Sequence, residues 1–152
     1  MKAKASSKKA GVLKILVVED NPTDMKLVST VLERAGHEIH EARSAEQAVQ
    51  LLQKFTPDAI LTDLDLPRMD GMSMIRQLKI TPETTKIPVI AITGSTGNFS
   101  SPAAREAGFA AFFSGRTAQE AGFAGYIVKP IDTRILAQQI SEVLDQIQED
   151  KS

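Results

Sequence analysis

Residues 12–20 read VLKILVVED and residues 59–65 read AILTDLD. In both, a run of aliphatic and β-branched residues stops abruptly at carboxylates. A near-continuous apolar run, as opposed to an alternating one, fits a strand covered on both faces, as in a parallel sheet. The same form recurs in PVIAIT at 88–93 and GYIVK at 125–129, while EIHEA at 38–42 is polar enough for a sheet edge. Longer segments of helical period separate these runs. Such alternation predicts βαβ units, and so an α/β fold with five parallel strands and helices on both faces.

The helices carry their own signatures. Val28, Val31, Leu32 and Ala35 form an i, i+3, i+4, i+7 stripe that stops at Gly36, a favoured C-terminal cap, and Pro22 suits the first turn. Ser44 with Gln47 reads as a capping box ahead of Ala45, Ala48, Val49 and Leu52. Leu136, Ile140, Val143, Leu144 and Ile147 stripe a final helix. A shorter helix is expected from Met72 to Lys79, followed by TPETTKIP, whose prolines and threonines read as a loop.

Composition narrows the function. Across 152 residues, 18 basic and 19 acidic side chains give a net charge of −1, so no global field favours nucleic acid or an acidic membrane. Cysteine is absent, which excludes disulfides, thiolate metal sites and cysteine nucleophiles. No apolar run approaches the roughly 18–20 residues of a membrane span, and MKAKASSKKA lacks the apolar stretch of a signal peptide. The expectation is a soluble, cytoplasmic protein: a disordered basic tail at 1–10 and one domain over 11–150.

One stretch breaks the rhythm. AREAGFA at Ala104–Ala110 returns fourteen residues later as AQEAGFA at Ala118–Ala124. Fourteen residues are too few for a solenoid repeat, so an insertion near 104–117, before the fifth strand, is expected as extra helix or loop.

The chemistry gathers at strand ends. In a doubly wound sheet, ligands bind beyond the carboxyl ends of the strands, where the strand order reverses. Glu19 and Asp20 end the first strand, Asp63 the third, Thr93 the fourth and Lys129 the fifth. With the order 2-1-3-4-5, Glu19, Asp20 and Asp63 converge on one crevice. Carboxylates held that close repel unless a cation joins them, and oxygen ligands completed by water suit Mg²⁺. A metal, an ammonium group, a hydroxyl and a nucleophilic carboxylate together suit a phosphoryl group, with Asp63 as the nucleophile. Other signals are weaker. His37 and His40, three apart on an expected strand, point to opposite faces and make a poor joint metal site. GSTG at 94–97 lacks the Gly-Lys-Ser/Thr ending of a phosphate loop, no GxGxxG follows the first strand, and Met69, Met72 and Met74 read as packing.

ILVVEDNPTD, AILTDLDLPRMDG, PVIAIT and AGFAGYIVKPI together resemble the receiver domain of bacterial two-component response regulators, notably stand-alone ones of the chemotaxis and cell-cycle type. The resemblance covers roughly 13–148 and implies a flavodoxin-like sheet of order 2-1-3-4-5. It makes Asp63 the phosphoacceptor, Asp20 a direct Mg²⁺ ligand, Glu19 a water-mediated one, and Asp65 a ligand through its backbone carbonyl. Thr93 resembles the switch hydroxyl, Lys129 the lysine that pairs with the phosphoryl group, and Tyr126 the aromatic switch. Pro67 and Gly71 match the turn after the phosphorylated strand, and Lys129-Pro130 a peptide bond usually cis in the family. The implied partners are a histidine kinase or histidine phosphotransfer protein as donor and a downstream protein target, with no nucleic acid and no membrane.

The departure from the family pattern lies in the duplication. After the first AGFA, AFFSG puts Gly115 where the family has lysine; only after the second does GYIVKP supply Lys129. The chemistry therefore predicts that the second copy leads into the fifth strand. Thr117 with Glu120 offers a capping box before it, and Phe109, Phe112 and Phe113 need cover, which makes a homodimer through the inserted edge an expectation. The alternative functions are a haloacid-dehalogenase-like phosphatase, suggested by Asp63-Leu64-Asp65, and a receiver-like scaffold that no longer switches. The phosphatase reading is disfavoured because those enzymes carry DxD on the first strand and an acidic pair after the lysine, the reverse of the order here.

Overall fold

In the computed structural model the described residues are 12–63, 71–93, 124–128 and 131–151. They form five strands and four helices: β1 (Lys14–Val18), α1 (Pro22–Arg34), β2 (Glu38–Ala42), α2 (Ala45–Leu52), β3 (Ala59–Asp63), α3 (Gly71–Ile80), β4 (Val89–Thr93), β5 (Gly125–Val128) and α4 (Leu136–Lys151). The strands are all parallel, in the order β2-β1-β3-β4-β5. The polar EIHEA segment is β2 and lies at one edge; β5 lies at the other.

Strand alternation divides the core in two. Leu16 and Val18 of β1, Ile60 of β3, and Val89 and Ala91 of β4 pack with Ala45 and Ala48 of α2 and Met74, Ile75 and Leu78 of α3. On the opposite face Ile15, Val17, Leu61, Ile90, Ile92 and Ile127 meet Met25, Val28 and Leu32 of α1 and Leu136 and Ile140 of α4. The central strands are apolar throughout because both of their faces are covered.

Local chemistry fixes the element ends. Asn21 caps α1, its Oδ1 accepting from the Asp24 N–H at 3.0 Å, and Pro22 follows as the first helical residue. Gly36 closes this helix at φ +99°, a conformation that suits glycine. Ser44 Oγ accepts from the Gln47 N–H at 3.0 Å, as the capping box requires; Gln47 Oε1 reaches back to the Arg43 N–H at 2.7 Å, one residue before the usual partner.

Several boundaries differ from the sequence reading. β1 begins at Lys14, not Val12, and α3 runs one residue further at each end than 72–79. His37 precedes β2: its Nδ1 accepts from the Leu13 N–H at 3.1 Å, so the ring secures the start of β1. TPETTKIP connects α3 to β4 without regular structure, yet it is bonded. Thr84 Oγ1 donates to the Leu78 carbonyl at 2.7 Å, Thr85 Oγ1 to that of Lys79 at 3.0 Å and Thr81 Oγ1 to that of Gln77 at 2.9 Å. The threonines thus satisfy the carbonyls that a helix end leaves open. The expected tail at 1–10, the insertion at 104–117 and its three phenylalanines, the Thr117–Glu120 capping box and the GSTG segment lie outside the described residues.

Candidate functional site

Register brings the acidic residues together. Val18 of β1 lies opposite Thr62 of β3, so the residues that follow, Glu19 and Asp63, emerge side by side at the carboxyl end of the sheet, with Asp20 one position on. The strand order reverses between β1 and β3, since the chain winds from β1 out to β2 and returns to β3. Each of Glu19, Asp20 and Asp63 places a carboxylate oxygen within 4.8 Å of the others.

Their surroundings differ. Glu19 is 1% exposed and Asp63 5%, whereas Asp20 is open to solvent. Glu19 is fixed through its backbone, the N–H donating to the Ala42 carbonyl at 2.9 Å, and through its side chain, Oε2 accepting from the Asn21 N–H at 3.1 Å. Asn21 therefore both caps α1 and steadies an acidic residue of the crevice. The sequence reading passed over it, although an Asn-Pro pair at a strand-to-helix junction signals such a cap. On β3, Thr62 Oγ1 donates to the Asp63 carbonyl at 3.1 Å.

Two largely buried carboxylates and a third within a few ångströms make a strongly negative cluster. The donor set is oxygen only, with one member open to water, and its spacing lets a single Mg²⁺ touch all three, a water completing whichever gap exceeds its direct reach of about 2.1 Å. The residues present fit that ion.

The other expected site residues meet the structure to different extents. Thr93 is the last residue of β4, one position beyond Ile92, which lies opposite Asp63. Val128, the last residue of β5, lies opposite Thr93, and Lys129 follows it in sequence. Tyr126 is on β5 and 39% exposed. Lys129, Pro130, Asp65 and Pro67 lie outside the described residues, as does the Thr93 side chain. Gly71 is the first residue of α3.

A doubly wound parallel sheet thus gathers three carboxylates at its switch point. The family model of the response regulator receiver domain matches residues 15–115, and the chain belongs to that family, a component of two-component signalling. It is 30% identical over 131 residues to protein PilH of Pseudomonas aeruginosa, the match covering 86% of this chain and 97% of PilH. It is 33% identical over 132 residues to the gliding motility regulatory protein of Myxococcus xanthus; the match covers 86% of this chain but only 15% of that much longer protein. Among solved structures, it is similar to the receiver domain of the sensor histidine kinase PA1611 from Pseudomonas aeruginosa PAO1, with 26% identity and a TM-score of 0.68, covering 88% of this chain and 98% of that one. That structure is described with a magnesium ion coordinated in its active-site cleft. Receiver domains are signalling domains and not enzymes of the ordinary kind. Among the described residues no helix is long and apolar enough to cross a membrane.

Proposed function

We propose that this chain is a phosphorylation-activated switch that accepts a phosphoryl group on Asp63 from a phosphohistidine of a kinase or phosphotransfer protein. The observation that carries this reading is the grouping of Glu19, Asp20 and Asp63 within 4.8 Å at the switch point of the sheet. An Asp63 carboxylate oxygen attacks phosphorus, the P–N bond breaks, and the imidazole nitrogen leaves with the bonding pair, to be protonated by water. Asp20 and Asp63, with the Asp65 carbonyl, would hold Mg²⁺ and Glu19 would hold it through water; such an ion would neutralise charge on the phosphoryl oxygens. Asp63 is the nucleophile because it ends the central strand of the sheet, between the acidic pair that follows β1 on one side and, on the other, Thr93 at the end of β4 and Lys129 after β5. Lys129 pairs with the transferred group and the Thr93 hydroxyl closes onto it. Tyr126, on the edge strand and 39% exposed, carries the change to the surface offered to a downstream protein.

The order of acidic pair, then DxD, disfavours the phosphatase alternative. Incubation with acetyl phosphate and Mg²⁺ tests the proposal. The expected result is one hydroxylamine-labile phosphoryl group per chain, absent from Asp63→Asn and from Asp20→Ala while both variants keep the fold. An adduct persisting in Asp63→Asn would overturn the assignment.

A further inference from the structure

The duplication gives the sheet two segments that answer the description of its fifth strand. AFFS at 111–114 and GYIV at 125–128 each follow an AGFA, and each is apolar and of strand length. The family match ends at residue 115, at the close of the first copy. The structure uses the second: Gly125–Val128 pairs with β4 from Ile90 to Thr93, and the Ala124 N–H donates to the Val89 carbonyl at 2.8 Å.

Chain entropy hardly separates the two arrangements. Moving the strand by one copy transfers fourteen residues of slack from the loop before it to the loop after it, and the closure cost of a loop grows only slowly with length. Packing must decide, and one contact is severe. A Cβ on Gly125 would lie 2.8 Å from Val143 Cγ2 and 3.0 Å from Cγ1 of α4. A valine in a helix has essentially one rotamer, so neither methyl can swing aside without moving the helix. The counterpart of Gly125 in the first copy is Ala111, which carries that Cβ. The next inward-facing residue repeats the argument. Ile127 is 2% exposed against Leu136 and Ile140, and its counterpart, Phe113, is bulkier than the space it fills.

We infer that Gly125 is a positioning residue: by letting β5 lie against Val143 it selects the second copy for the sheet edge, and so decides that Lys129, and not Gly115, follows the strand. The value of that lysine rests on the function proposed above; the choice of copy does not, because it is read from backbone pairing alone.

Hydrogen exchange followed by mass spectrometry reads the pairing directly. In the wild type, the amides of 124–128 should be protected. Gly125→Ala should lower protection at 124–128 and lower phosphorylation by acetyl phosphate roughly tenfold or more, the scale expected of an overpacked site. Gly125→Ala with Val143→Ala should restore both, which a general loss of stability would not do. Ala111→Gly with Phe113→Ile, which gives the first copy both of the residues that fit, should raise protection at 110–114. The inference fails if Gly125→Ala leaves protection in place or if the double variant with Val143→Ala is not restored. Should Gly125→Ala fail to fold, Ala111→Gly with Phe113→Ile decides alone, and no gain at 110–114 overturns the inference. A wild type that pairs through 124–128 yet takes no phosphoryl group would count against the proposed function and leave the inference standing.

Discussion

The two edges of the sheet are held by different means. β2 is tied at both ends by its neighbour: the Glu38 N–H donates to the Leu13 carbonyl at 2.8 Å, and the Glu19 N–H donates to the carbonyl of Ala42. Gly36 and His37 fix its approach, and its sequence is polar where it meets water. β5 is four residues long, is approached through residues outside the described part of the chain, and owes its register to β4 and to the close fit of Gly125 on Val143. The first edge is specified by many local bonds, any one of which can be lost. The second depends on shape at Gly125 and Ile127, where a small change has a large consequence. The edge that carries the lysine is thus the one whose identity is most easily altered.

That contrast can be sharpened by substitution. Ile127→Ala, which empties a buried position on β5, should cost about 2–5 kcal/mol in urea unfolding. Ile39→Ala on β2, half-buried, should cost about 1 kcal/mol because less apolar area is lost. Equal costs would show that the edges are equally built into the core. Next in size is Gly36→Ala: nothing lies within 4 Å of the added methyl, so only the left-handed backbone opposes it, at about 1 kcal/mol. A smaller effect concerns pH. Burial lowers the pKa of His37, and its Nδ1 must be unprotonated to accept from Leu13. The unfolded chain therefore binds the proton more readily, and stability should fall as pH drops through the ordinary histidine value of about 6.5, levelling off below the folded value. His37→Asn, which keeps an acceptor near the Nδ1 position, should flatten that part of the profile; an unchanged profile would remove His37 as its source. Least of all, Asp132→Ala should leave the melting temperature unaltered, although Arg134 holds the Asp132 carboxyl below its usual range through paired hydrogen bonds, because both groups stand in water.

Much of this was legible in the sequence for identifiable reasons. Strands buried on both faces announce themselves as apolar runs, and all five were read, with β2 recognised as an edge from its polarity. The convergence of Glu19, Asp20 and Asp63 followed from strand ends and strand order. Less legible were features that depend on geometry a sequence does not carry. Asn21 steadies Glu19 through a backbone N–H, which no residue type reveals. The ordered threonine cap after α3 looked like a loop because threonine and proline punctuate both. The second copy was favoured for its lysine, but the tight fit that excludes Ala111 from the position of Gly125 needed the position of Val143.

The central claim is that Glu19, Asp20 and Asp63 act as one cation-dependent site, and the binding of Mg²⁺ tests it most directly. Titration of the full chain with Mg²⁺, followed by amide chemical shifts, should show one weak site, with the largest changes at 19–21 and 62–63. Asp20→Ala and Asp63→Asn should each abolish those changes. Shifts that persist in both variants, or that fall elsewhere on the sheet, would contradict the account.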